Sequence, residues 1–239
     1  MHHHIDASKR LPPTMDWPRS TTAEALFPSY DGKGDGFLPV FPANAPAWAL
    51  LDPAGEVNIK TQMAAMEPTN GKALTGFFHR GEGIVIDETA TVEEGAYLIG
   101  PCYIGPRAVV RSGAYVREHS WICSDAVVGH ATEVKHSILL PGAKAPHFNY
   151  VGDSILGRGV NLGAGTKLSN LRNDGGEVHL RLNGERLGCG FRKFGAVLGE
   201  GTALGCNSVT NPGVVLGRNN TVWPNVTVTG VHGDDVQHR

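Results

Sequence analysis

Residues 86–140 read IDETATVEEGAYLIGPCYIGPRAVVRSGAYVREHSWICSDAVVGHATEVKHSILL, and through this stretch an aliphatic side chain returns at every sixth position. The series is Ile86, Val92, Leu98, Ile104, Val110, Val116, Ile122, Val128, Val134 and Leu140. Four positions after each of the first eight stands a small residue: Ala90, Ala96, Cys102, Ala108, Ala114, Ser120, Ala126 and Thr132. A period of six matches neither the 3.6 of an amphipathic helix nor the alternation of a flat strand. It matches short strands joined by tight corners and wound into a coil, three hexads to a triangular turn. In such a coil the aliphatic side chain points inward and the small residue permits the corner, so a core can form from modest side chains.

Outward from this stretch, the ruler resumes at Leu156 and Leu162 and again at Leu198, Leu204, Leu216, Val222 and Val228, with Thr210 as a polar exception. It is interrupted at 141–155, around GAKAPHFNYVGD, and at about 169–195, where EVHLRL, Asn183-Gly184 and ERL predict a protruding hairpin. Loops leaving a rigid scaffold are where sites are usually built. Residues 21–83 lack the ruler and carry Trp48, Pro-Gly breaks and a predicted helix around EVNIKTQMAAM. They are expected to cap one end of the solenoid, covering its unpaired strand edges. Residues 1–20 are set apart as a polar arm or tag remnant, with Trp17-Pro18 read beside Trp48 as an anchor of the cap, and 232–239 as a tail, which leaves 84–231 for the coil.

The composition fits this picture: 239 residues include 32 Gly and 15 Pro but only 7% aromatic and 18% charged side chains. No run of about 20 apolar residues exists to span a bilayer. A formal net charge of -2 without a basic block argues against nucleic-acid binding. Cys102, Cys123, Cys189 and Cys206 form no C-x-x-C pair and no apolar leader is evident, so buried thiols and a cytoplasmic location are expected. No glycine-rich phosphate loop precedes a helix, so no nucleotide-binding domain is expected.

The hexads identify the chain as resembling the left-handed parallel β-helix of hexapeptide acyltransferases. KAPHFNYVGDSILGRGVNLGAGT, residues 144–166, resembles the active-site stretch of glucosamine-1-phosphate N-acetyltransferase domains. NLRNDGGEVHLRLNGERLGCGFRKFGAVLG, residues 170–199, resembles the version fused to sugar-phosphate nucleotidylyltransferases, although no pyrophosphorylase half is expected here. The resemblance implies an acetyl-coenzyme A-dependent N-acetyltransferase acting on an amino-sugar 1-phosphate, glucosamine- or galactosamine-1-phosphate. It implies a homotrimer with active sites between subunits. It further implies His147 as general base, Tyr150, Asn161 and Asn170 as sugar contacts, and Lys135 in a phosphate clamp. For the clamp arginine, the local R-S-G-A pattern points to Arg111. Stacking of eighteen-residue turns instead places Arg117 one turn before Lys135 on the same face, and Arg117 is preferred.

The chemistry suits these residue types. Histidine is neutral near pH 7 and can take the proton of an attacking amine, while Lys and Arg can fix a phosphate. Arg192 and Lys193 are expected to meet coenzyme A phosphates, and Ala196 completes the cofactor set. Some relatives carry lysines where Gly176 and His179 stand, which keeps open a non-catalytic sugar-nucleotide-binding scaffold. An O-acyltransferase is a further alternative. Asn161 has a structural alternative too, as part of an asparagine ladder inside the coil. His119, His130, His136 and His147 lack the paired H-x-x-x-x-H spacing of the zinc-holding γ-type carbonic anhydrases, so no metal site is expected.

Overall fold

The computed structural model describes residues 17–66 and 78–239. Three parallel sheets of eight strands each form the sides of a left-handed β-helix, and a separate antiparallel hairpin departs from it. The chain passes from a front face (Tyr97–Ile99, Tyr115–Val116, Glu133–Lys135, Tyr150–Gly152) to a second face (Cys102–Ile104, Ser120–Ile122, Ser137–Leu139, Ile155–Leu156). A third face (Val109–Val110, Val127–His130, Lys144–His147, Asn161–Leu162) completes each turn. Leu98, Ile104, Val110, Val116, Ile122, Val128 and Val134 lie in the prism interior, as the ruler requires, with Ala96, Ala108, Ala114 and Ala126 between them.

The ruler slips at its last member. Val116 pairs with Val134, eighteen positions on, but Ile122 pairs with Leu139 and Leu139 with Leu156, each seventeen on. Leu139 therefore takes the interior place expected of Leu140, which joins a different cluster outside the prism. Residues 141–155 are not a loop. They continue the coil through Lys144–His147 and Tyr150–Gly152, with one residue fewer per turn.

The second interruption is a genuine excursion. His179–Leu182 and Glu185–Gly188 pair antiparallel around Asn183-Gly184, and the coil closes behind them, Leu156 pairing with Leu198. The ladder also runs into the stretch set apart as a tail, where Gln237–His238 pairs with Thr221–Val222.

The segment 21–66 covers a side of the prism rather than its end. The outward column of the second face, Val85, Tyr103, Trp121, Ile138, Ile155, Val197 and Val215, is apolar throughout, and Leu26, Phe27, Trp48, Leu50, Ile59 and Met63 pack onto it. The expected helix is Ile59–Ala64, started by a capping box in which Asn58 Oδ1 accepts from the Thr61 N–H (2.9 Å). Polar links hold the sheath down, among them Trp121 Nε1–H to the Phe37 carbonyl (3.1 Å) and Ser29 Oγ to Glu200 (2.7 Å). Cys102, Cys123 and Cys189 are buried thiols, whereas Cys206 is exposed, contrary to expectation.

Candidate active site

The front face and its corner to the sheathed face gather several of the expected residues. Asp153 sits at that corner and accepts from Lys135 Nζ (3.1 and 3.0 Å), His136 Nδ1 (2.9 Å) and Asn170 Nδ2. Tyr150 is hydrogen-bonded to Asn170, and a side chain at Gly152 would fall 2.6 Å from the tyrosine hydroxyl. The bare backbone at Gly152 is thus what lets Tyr150 lie across the strand. Arg117 follows Tyr115–Val116 on the adjacent turn, as the stacking expectation has it, while Arg111 bonds to the third face through the Val128 carbonyl (2.8 Å). The Arg117 guanidinium is held by Glu133 (2.8 Å) and lies 5.9 Å from the Tyr115 ring centre.

His147 lies at the other edge of this face, where the third face turns into it. Its backbone N–H donates to Asn149 Oδ1 (3.0 Å), and buried Asn149 donates in turn to the Gly163 carbonyl (2.7 Å). The imidazole is exposed and has no hydrogen-bond partner among the described residues, and neighbouring Phe148 is 55% exposed with a left-handed φ of 35°. That conformation is uncommon for a bulky residue, and here a side chain at Gly165 would meet the Phe148 ring at 3.0 Å. Asn161 is exposed on the third face opposite Lys144, apart from the Asp153 cluster, so it forms no ladder inside the coil. Buried Asn149 and Asn220 are the asparagines that satisfy coil backbone.

Behind the Lys135 corner lies a cavity of about 850 Å³ that three parts of the chain enclose. The coil supplies His119, Lys135, His136 and Asp153; the excursion supplies Gly175–Glu177 and Gly190–Lys193; the sheath supplies Leu51–Ala54 and Lys60. Arg192 and Lys193 thus meet Lys135 here, with Arg192 Nε donating to the Gly175 carbonyl (3.0 Å). Ala196 does not: it is buried inside the prism with its N–H on Ser154 Oγ (3.0 Å), a position at odds with cofactor contact.

Sequence reasoning missed His119, His136 and Asp153 as a group. They stack at one corner, each with a positive φ, and each opens a recurring tetrad: His119-Ser-Trp-Ile, His136-Ser-Ile-Leu and Asp153-Ser-Ile-Leu. That seventeen-residue echo is the signal that could have found them. Burial would raise the Asp153 carboxyl, but bonds from His136 and Asn170 and the charge of Lys135 outweigh it and hold the group below its ordinary range. His119 is pushed down to about 4, first by burial and then by neighbouring His136 and Lys60. His136 Nε2 is buried without a hydrogen-bond partner among the described residues.

Residues 98–232 match the family described as the GMPPB C-terminal domain. A bifunctional sugar-1-phosphate nucleotidylyltransferase/acetyltransferase of Sulfurisphaera tokodaii is 37% identical over 145 residues, 61% of this chain and 36% of that protein. The bifunctional protein GlmU of Methanococcus vannielii is 37% identical over 159 residues, 66% of this chain and 37% of that protein. The chain therefore spans well under half the length of the curated relatives it matches. Among solved structures, the acetyltransferase domain of PglB from Neisseria gonorrhoeae, in complex with acetyl coenzyme A, aligns at 16% identity with a TM-score of 0.31, covering 64% of this chain and 52% of that one. With the hexapeptide coil, its hairpin excursion and the match over more than half its length, the chain belongs to the GMPPB C-terminal domain family.

Proposed function

We propose that this chain transfers an acetyl group from acetyl-coenzyme A to the amine of an amino-sugar 1-phosphate, glucosamine- or galactosamine-1-phosphate, as a step toward a UDP-N-acetylhexosamine. The observation that carries this reading is the arrangement along one face: an unpartnered imidazole at one edge and a Lys135–Asp153–Asn170–Tyr150 cluster at the other. The name of the 37%-identical Sulfurisphaera tokodaii relative supports it, since that protein is a sugar-1-phosphate nucleotidylyltransferase/acetyltransferase. In this reading His147 takes the amine proton as nitrogen attacks the thioester carbon, and the thiolate of coenzyme A leaves. Lys135 and Arg117 orient the phosphate, Tyr150, Asn161 and Asn170 contact the sugar, and Arg192 and Lys193 meet the coenzyme phosphates. The exposed His147 and Phe148 suit a site completed by a neighbouring subunit of a homotrimer.

A free-thiol assay with both sugar phosphates tests the proposal. His147→Ala should lower kcat by roughly 10²- to 10⁴-fold with little change in stability, and raised pH should restore part of the rate by deprotonating the amine directly. Lys135→Ala should instead raise the acceptor KM by roughly 10- to 150-fold, an effect that nearly vanishes for an acceptor without phosphate. A binding scaffold is the second reading: Gly176 and His179 stand in the stretch where some relatives carry lysines, and His179 Nδ1 is already taken by Arg172 Nη1 (2.7 Å). Folded protein that binds sugar phosphate but releases no thiol with either acceptor would establish the scaffold and overturn catalysis.

A further inference from the structure

We infer that a second, cationic cavity between the hairpin and the later turns of the coil is a binding site for a diphosphate group. The cavity, of about 560 Å³, is lined by Arg172, His179, Arg181, Arg186, Asn211 and Thr229 among others. Its size falls within the range of small-molecule sites.

The hairpin dictates its chemistry. Leu180 and Leu187 are paired, and buried Leu180 packs into the sheath cluster, so the alternation of strand side chains turns His179, Arg181 and Arg186 to the opposite face. Arg181 and Arg186 stand directly opposite each other, and like charges so placed repel. Neither has an ion-pair partner among the described residues. The cavity's one carboxylate, Asp174, is taken at both oxygens by Arg172. Arg172 Nη1 also donates to His179 Nδ1 (2.7 Å), so the proton of the neutral ring sits on Nε2 and remains available as a donor.

The arrangement is fixed. A side chain at Gly213 would lie 2.8 Å from Val178 Cγ1, and one at Gly230 would lie 3.1 Å from the Arg181 carbonyl, both at positive φ. The hairpin therefore rests directly on coil backbone. Two uncompensated guanidinium forks a strand apart, with a neutral imidazole donor beside them, fit two linked phosphates better than a single small anion. The shared chemistry belongs to free pyrophosphate and to a nucleoside diphosphate alike.

Calorimetry on the full chain with pyrophosphate, UDP and sulfate tests the assignment, using wild type, Arg181→Gln, Arg186→Gln and His147→Ala. Wild type and His147→Ala should bind pyrophosphate or UDP and bind sulfate more weakly. Each glutamine variant should lose roughly 10- to 100-fold in affinity. Equal affinity for the two diphosphates assigns the site to the free group, and tighter UDP assigns it to a nucleotide. Without ligand, the glutamine variants should melt no lower than wild type, because a repulsion is relieved. Absence of wild-type binding up to about 10 mM, unchanged binding in both glutamine variants, or sulfate binding as tightly as pyrophosphate would each overturn the assignment.

Discussion

Asp153 is 4% exposed and carries bonds from Lys135, His136 and Asn170, so removing its carboxylate strands several donors at once. Asp153→Ala should lower stability by roughly 3–5 kcal/mol at pH 7, measured by urea unfolding. Its folded pKa lies below the unfolded one, so the stabilisation is complete above about pH 4 and is lost as pH falls through the folded value. The gap between wild type and variant should therefore close in acid. His119 acts higher on the scale. With its folded pKa at about 4 against about 6.5 unfolded, the unfolded chain takes up the proton first, and stability should fall from about pH 6.5 downward. His119→Phe should flatten that slope in melts between pH 6.5 and 4. Thr210 was legible in the sequence as the polar exception to the ruler, and its inward Oγ1 is buried without a hydrogen-bond partner among the described residues. Thr210→Val should raise stability by about 1 kcal/mol, a Tm gain of roughly 2–4 °C by calorimetry. The Asp153 cluster was less legible. The family motif supplied Lys135, Tyr150 and Asn170, but the carboxylate that joins them shows only in the repeated corner tetrads.

At the scale of the element, hexad periodicity sufficed for the coil because interior position and corner recur with every strand. It misplaced Leu140 for a definite reason. The corner between Val134 and the next strand has lost one residue, and because Leu139 and Leu140 are both aliphatic, periodicity alone cannot tell them apart. The sheath was misjudged because the ruler watches inward positions only. The outward apolar column, with Tyr103 and Trp121 stacked on successive turns, was written in the same hexads at one position in eighteen or seventeen. Trp121 is 2% exposed beneath the sheath, so Trp121→Ala should cost roughly 3–5 kcal/mol by chemical denaturation. A merely solvated outer face would leave the midpoint unchanged.

For the whole molecule, one side of the prism is occupied by the sheath and the excursion, so the proposed trimer would form through the front and third faces. Light scattering at micromolar protein should give about three times the 25.4 kDa chain, and a stable monomer would leave His147 without the neighbouring wall that the proposed chemistry requires. Consider, finally, the order in which the sheath and its support are made. Residues 21–66 leave the ribosome before the coil, yet Trp48 lies 5.5 Å from the Phe194 ring, Leu26 receives the Glu200 N–H (3.0 Å), and Val197 and Val215 complete the surface beneath. Early turns can stack as they are synthesised, since each needs only its neighbour. The sheath cannot finish docking until the chain beyond the hairpin has emerged. It acts as a clasp between an earlier and a later part of the polypeptide, and a nascent chain halted before residue 194 would present Trp48 without Phe194 against it, a surface suited to chaperone capture.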